Sequence, residues 1–262
     1  MANCHIMKHM IYHQINGMTW LEFPHLAQHK DIRHGIFTRL GGFSQPPYQG
    51  LNVSDSNGDN PKHVHQNRDL IFQQMGQTDM IFTRQRHGVT VFVTTEDRES
   101  LTPQLPEADA LVTQLPEKNL TIQVADCQAI LIYDPVKRVI ANIHSGWRGS
   151  IGNIVGKTVQ TMIQVLECSP RDMVAGIGPS LGPCCSEFVN YQREIPKAMW
   201  GYRLPKDHFD FWAMTEDQLR DEGIPRPQIL QSGLCTRCRT DLFFSYRGEK
   251  RTGRFAAVIG MT

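Results

Sequence analysis

Cys127 and His144 are the first residues of this chain whose types and spacing could do chemistry. They stand at equal distances from Asp134-Pro135-Val136-Lys137, inside the stretch ADCQAILIYDPVKRVIANIHSGWRGS. The flanking runs 128–133 and 138–143 are rich in apolar and β-branched residues, and Pro at the second turn position suits a type I turn. The stretch therefore predicts a hairpin. With a symmetric loop, Tyr133 faces Arg138 and Cys127 faces His144, their Cβ atoms about 5 Å apart on one sheet face. A thiolate and an imidazole so placed can share one ion, at about 2.3 Å from sulfur and about 2.0 Å from nitrogen. The same pair could instead serve as nucleophile and base, or be two residues buried at a strand end. A one-residue register slip would part them.

The continuation His144-Ser145-Gly146-Trp147-Arg148-Gly149-Ser150 leads into a helix. Ile151, Ile154, Val155, Thr158, Val159, Met162, Ile163 and Leu166 recur at three- and four-residue steps, and Ser150 suits the N-cap. Free N–H groups at such a start favour an anion, and Arg148 adds a planar cationic donor. A tight turn carrying a surface Arg is the plainer alternative. A catalytic zinc site needs a third protein ligand and one open position. His87, in Gln85-Arg86-His87-Gly88 at the entrance of a strand over 89–95, is the best placed remaining histidine, and His34 is its chief rival. His25, His29, His63, His65 and His208 lie in polar or helical surroundings and read as surface residues.

The elements that must position these groups are spread along a chain of 262 residues, 40% hydrophobic and 20% charged. That is enough for a sizeable core. With 27 basic against 26 acidic residues there is no charge argument for a nucleic-acid or membrane partner. The seven cysteines follow no framework spacing and fit a reduced, cytoplasmic compartment. Cys235-Thr236-Arg237-Cys238 has CxxC spacing but no second CxxC to complete a Cys₄ site. No apolar run reaches the roughly 20 residues of a bilayer span, and no export signal opens the chain.

Strands are expected at 35–39, 89–95, 119–124, the central hairpin, 173–177, 228–231 and 254–259. Helices are expected from Asn60-Pro61 to Gly76, with Val64, Ile71 and Met75 buried, and near 151–167 and 211–222. Residues 1–17 read as a loosely ordered lead, with His5, His9 and His13 a solvated set rather than ligands. Residues 18–262 read as one catalytic domain. Strands in uneven alternation with few helices predict a mixed α/β or α+β architecture.

From about His34 onward the chain is similar to the YfiH-like family, long labelled laccase-domain or multicopper polyphenol oxidase proteins and now regarded as purine nucleoside phosphorylases with adenosine deaminase activity. The blocks that carry the resemblance are HGIFTRLGGFSQPPYQGLN, NGDNPKHVHQNR, QRHG, ADALVT, ADC, HSGWRG, GIGPSLGPCC, CTRC and FFSYRGEKRTGR. The resemblance implies a catalytic zinc on His87, Cys127 and His144 and a four-layer α/β/β/α fold. Its implied substrates are adenosine, inosine, guanosine and methylthioadenosine, with phosphate. Arg86, Gln128-Ala129 and Ser145 depart from the family pattern beside the ligands without replacing any.

A zinc with an open position lowers the pKa of bound water towards about 7 and suits deamination. Phosphorolysis needs an oriented phosphate to attack C1′ of the ribose as positive charge develops there, which asks for cationic clamps. Arg39, Arg68 and Arg148 are candidates for the clamp, and Asn52 for a ribose or base contact. Three other readings remain at this level. They are a copper-dependent polyphenol oxidase, a Cys–His hydrolase, and a non-enzymatic metal-binding module in which Cys184, Cys185, Cys235 and Cys238 add soft donors.

Overall fold

The computed structural model describes residues 10–76, 78–94 and 105–262. In chain order its strands are β1 (Ile11–Ile15), β2 (Met18–Glu22), β3 (Ile32–Phe37), β4 (Asp79–Ile81), β5 (Val91–Thr94), β6 (Ala110–Thr113), β7 (Lys118–Val124), β8 (Gln128–Asp134), β9 (Val139–Ser145), β10 (Val174–Ile177), β11 (Arg203–Leu204), β12 (His208–Phe209), β13 (Ile229–Gln231) and β14 (Phe255–Met261). They form two six-stranded sheets, ordered β1-β2-β3-β14-β7-β4 and β13-β10-β8-β9-β6-β5, and one small pair, β11-β12.

Side-chain alternation explains why the sheets stack. Along β14, Phe255, Ala257, Ile259 and Met261 enter the same core as Ala129, Leu131 and Tyr133 of β8. Their alternate neighbours Ala256 and Val258 pack with Ile71 and Met75 on the outer face of the first sheet, under the helix Pro61–Gln74. Ile130 and Ile132 of β8 turn the other way, onto Val155, Val159 and Met162 of the helix Ile154–Leu166 and Leu219 of Phe211–Asp221. With a period of 2, each buried strand feeds two cores at once. The result is helix, sheet, sheet, helix, the four-layer α+β arrangement. Asn142 stitches the two sheets together, donating from Nδ2 to the carbonyls of Leu120 and Ala257, each at 2.8 Å.

Most expected elements appear within a residue or two, the helix after Asn60 among them. Asn60 caps it by accepting from the Lys62 N–H at 3.0 Å. Three local readings are corrected. The central hairpin is out of the symmetric register: Tyr133 faces Ile140 and Ala129 faces His144. Asp134 stays in the strand, its Oδ1 accepts from the N–H groups of Val136 and Lys137, and Arg138 takes a left-handed φ of 53° inside the loop. Ser150 is not the N-cap. A short helix, Trp147–Ile151, precedes the long one, and Asn153 caps the latter by accepting from Gly156 N–H at 2.9 Å. Finally, β1 falls inside the segment read as a lead and pairs antiparallel with β2, where His13 stacks on Trp20. Cys4, His5 and His9, and the end of the expected strand at residue 95, lie outside the described residues.

Candidate metal centre and cavity

The register shift preserves parity, and this keeps Cys127 and His144 together. His144 faces Ala129, so Cys127, two residues before Ala129, falls on the same face as a diagonal neighbour. A one-residue slip would have reversed one of them; the displacement here moves the pair along the ladder without turning either over. Asp126, at φ 83°, bends the chain just before Cys127. Both side chains belong to the face that looks into the gap between the sheets. The pair thus sits at the open end of that gap.

His87 arrives from the loop before β5 with a left-handed φ of 58°. Its ring meets that of His144 edge-on, with centroids 4.7 Å apart. The ligand atoms of His87, Cys127 and His144 all lie within 4.8 Å of one another. Gly146 closes the far side. A Cβ there would stand 2.9 Å from His87 Cδ2 and 3.1 Å from Cys127 Sγ, so only glycine leaves the donors room.

Asp109, on the residue before β6, organises all of this, and the sequence reading gave it no role. Its Oδ1 lies 2.8 Å from Nδ1 of His144 and accepts the His87 N–H at 2.9 Å, while Oδ2 accepts the Gly88 N–H at 2.7 Å. Its carbonyl accepts the His144 N–H at 2.6 Å. Burial alone would raise the Asp109 pKa, but the His144 hydrogen bond and the Gly88 and His87 N–H groups hold it below the usual carboxylate range. An ionised Asp109 fixes the Nδ1–H tautomer of His144 and turns Nε2 toward the site. Burial would likewise raise Cys127 and lower His144; their mutual attraction reverses both, so the thiol is pulled down and the imidazole pushed up. The signal for Asp109 was available in ADALVT: an acid directly before an all-apolar strand start is buried only with partners.

The three donors open onto a cavity of about 1050 Å³. Trp147, Phe188, Phe211 and Tyr246 give it aromatic walls, and Arg148, Arg247 and Arg254 give it positive charge. Arg148 lies over the Trp147 ring, 4.2 Å from its centroid. Arg254 is largely desolvated, which lowers its pKa. Neither Arg247 nor Arg254 was singled out in the sequence.

The other sequence-stated candidates stand further back. Arg39 lies outside the cavity lining, donating to Glu249 at 2.8 Å and to the Thr240 carbonyl at 2.9 Å. Arg68 donates to the Val53 carbonyl and pairs with Asp55, which does line the cavity. Asn52 is fully buried; its Oδ1 accepts from Ser54 N–H and from Arg254 N–H. His34 is excluded as a ligand: its Nε2 accepts the Phe23 N–H at 2.8 Å. The departures from the family pattern have local partners. Arg86 pairs with exposed Glu107, Gln128 donates to the Phe211 carbonyl, and Ser145 meets Ser150.

Two soft-to-borderline imidazoles and a thiolate-prone cysteine, held by an outer carboxylate around a space cleared by Gly146, fit a zinc-sized ion with an open position.

The sequence model described as multi-copper polyphenol oxidoreductase laccase matches residues 33–262. A purine nucleoside phosphorylase of Deinococcus radiodurans is 34% identical over 94% of this chain and 94% of its own length. Purine nucleoside phosphorylase YfiH of Escherichia coli is 30% identical over 92% of this chain and 99% of its own. Among solved structures, the Bacillus licheniformis hypothetical protein YfiH superposes with a TM-score of 0.85 at 29% identity, covering 96% of this chain and 99% of that one. YlmD from Geobacillus stearothermophilus does so with a TM-score of 0.83 at 26% identity, with the same coverage.

Proposed function

This chain belongs to the multi-copper polyphenol oxidoreductase laccase family, and on that footing we propose that it is a zinc-dependent purine nucleoside phosphorylase with adenosine deaminase activity. The observation that carries the reading is the joining of three metal donors to a cavity with aromatic walls and three lining arginines, of which Arg254 is largely desolvated. The names of relatives at 30–34% identity over most of their length support the substrate class.

His87, Cys127 and His144 would hold the zinc, which when bound supplies a Lewis acid and lowers the pKa of water. Asp109 keeps the proton on Nδ1 of His144 and fixes the orientation of both rings. Trp147, Phe188 and Tyr246 offer π-faces to a purine. Arg148, Arg247 and Arg254 would hold the phosphate that attacks C1′ as the bond to the base breaks. Their charge is strongest where the cavity excludes water. Stacking excludes water from the glycosidic bond while the arginines orient the anion. In deamination the C6 amino group of adenosine is replaced by oxygen from water and leaves as ammonia.

Adenosine, inosine, guanosine and methylthioadenosine all present a purine face and a ribose C1′, and the proposed reaction extends to each in those terms. Copper on the same three donors is the alternative metal. A multicopper oxidase needs further histidine-rich centres. Among the described residues, the groups able to hold an ion are this one and a second made of cysteines alone. The Cys–His hydrolase reading uses the same pair, but a thiolate bound to metal is a poor free nucleophile.

The test is a product assay of purified protein with inosine and with adenosine, with and without phosphate. Phosphate-dependent hypoxanthine or adenine with ribose 1-phosphate is expected, together with inosine from adenosine in the absence of phosphate. If a metal-loaded sample yields neither product, the substrate class is wrong.

A further inference from the structure

Four of the remaining cysteines converge at a place the reaction does not use. β10 and β13 are parallel neighbours, with Ala175 facing Ile229 and Ile177 facing Gln231. The loops after them therefore leave the same sheet end side by side. Ser180 and Cys235 form a parallel bridge there, and Thr236 N–H donates to the Ser180 carbonyl at 3.0 Å. The first loop carries Cys184 and Cys185, and the second carries Cys235 and Cys238.

The sulfurs of these four residues all lie within 4.8 Å of one another. Cys238 Sγ is 3.6 Å from Cys184 Sγ and 3.6 Å from Cys185 Sγ. A zinc ion at about 2.3 Å from each of four tetrahedral sulfurs sets them about 3.8 Å apart. A disulfide would require about 2.05 Å. Cys235, fully buried, accepts on its sulfur the N–H of Gly182 at 3.3 Å and the N–H of Cys238. Backbone donors aimed at a buried sulfur are the outer partners a metal thiolate needs. None of the four lines the cavity.

We propose that Cys184, Cys185, Cys235 and Cys238 bind a second zinc ion, in a closed four-thiolate site separate from the His87–Cys127–His144 centre. Binding displaces the thiol protons, and four protein ligands leave no position for substrate, so the role is structural. The CxxC lacks a second CxxC in sequence, but the vicinal pair on the neighbouring loop takes its place. The site braces the catalytic region through Asp126, the residue before Cys127. Asp126 accepts from Thr236 Oγ1 at 2.6 Å and from Ser245 Oγ at 2.7 Å, and its carbonyl accepts the Leu181 N–H at 2.8 Å. Both cysteine-bearing loops thus grip the strand entry that presents Cys127.

The proposal stands apart from the reaction assigned above and is tested by counting metal. Wild-type protein and a His87→Ala/Cys127→Ala double variant are purified under reducing conditions and analysed for zinc, with X-ray absorption at the zinc edge on the double variant. The expected result is two zinc ions per chain in the wild type and one in the double variant, the latter ion surrounded by four sulfurs. A Cys238→Ser variant should lose that ion, keep the other and melt at lower temperature; should it not fold, the double variant still decides. One zinc or none in the wild type with none in the double variant would overturn the proposal. So would peptide mapping that finds these cysteines paired as disulfides.

Discussion

Asp109 and His144 are joined twice, by the His144 N–H to the Asp109 carbonyl at 2.6 Å and by Nδ1 to Oδ1 at 2.8 Å, both groups being almost wholly buried. The side chain that orients one histidine also receives the backbone of the other, so the two imidazoles are positioned by one carboxylate. Asp109→Asn should therefore weaken metal binding about 10- to 100-fold, the usual range for an outer-shell partner. Competition against a chelator of known affinity measures it, and an unchanged affinity would remove Asp109 from this role.

Gly146→Ala tests the clearance around the donors. Its Cβ would intrude on His87 and Cys127, at 2.9 and 3.1 Å, while the rest of the strand end is untouched. The expected result is protein that folds and melts near the wild-type temperature but carries less than one equivalent of metal at the His₂Cys centre. Full metal content in the alanine variant would show that the donors have more room than described.

The arginines divide by position. Arg148 lies on the cavity wall, whereas Arg39 is bound to Glu249 and Thr240 behind it. Removing a charge-assisted hydrogen bond costs about 1.5–3 kcal/mol, so Arg148→Ala should raise the KM for phosphate about tenfold or more with little change in melting temperature. Arg39→Ala should do the reverse, lowering the melting temperature and sparing KM. Steady-state kinetics and thermal melts on the two variants separate these outcomes.

His34 supplies a pH dependence of stability. Burial, reinforced by the nearby charge of His25, lowers its pKa to about 3 from an unfolded value near 6.5. Between those values the unfolded chain holds more protons, so stability is complete above about pH 6.5 and falls as pH drops toward 3, by at most about 1.4 kcal/mol per unit. His34→Gln retains an acceptor for the Phe23 N–H without the titration. Urea unfolding at several pH values should give a shallower acid slope for the variant than for the wild type; equal slopes would contradict the assignment.

Much of this was readable in the sequence where local chemistry decides. The blocks around His87, Cys127 and His144 pointed to the family that the match over residues 33–262 bears out, and apolar periodicity located the helix over Pro61–Gln74 and the buried strands. The hairpin register was not readable, because it depended on Asp134 capping the turn from within the strand and on Arg138 accepting a left-handed conformation. Asp109 escaped for a different reason. Its partners come from the loop before β5 and from the end of β9, and such an encounter exists only once the sheet is assembled. Arg254 likewise gains its place in the cavity wall from the pairing of β14 with β7.

The most direct test of the central claim pairs metal with turnover at Cys127. Wild-type protein and Cys127→Ala are assayed for phosphorolysis of inosine, with zinc determined on the same samples. The account predicts that the variant loses zinc from the His₂Cys centre and phosphorolysis together. Retention of wild-type turnover in a variant whose centre no longer holds metal would contradict it.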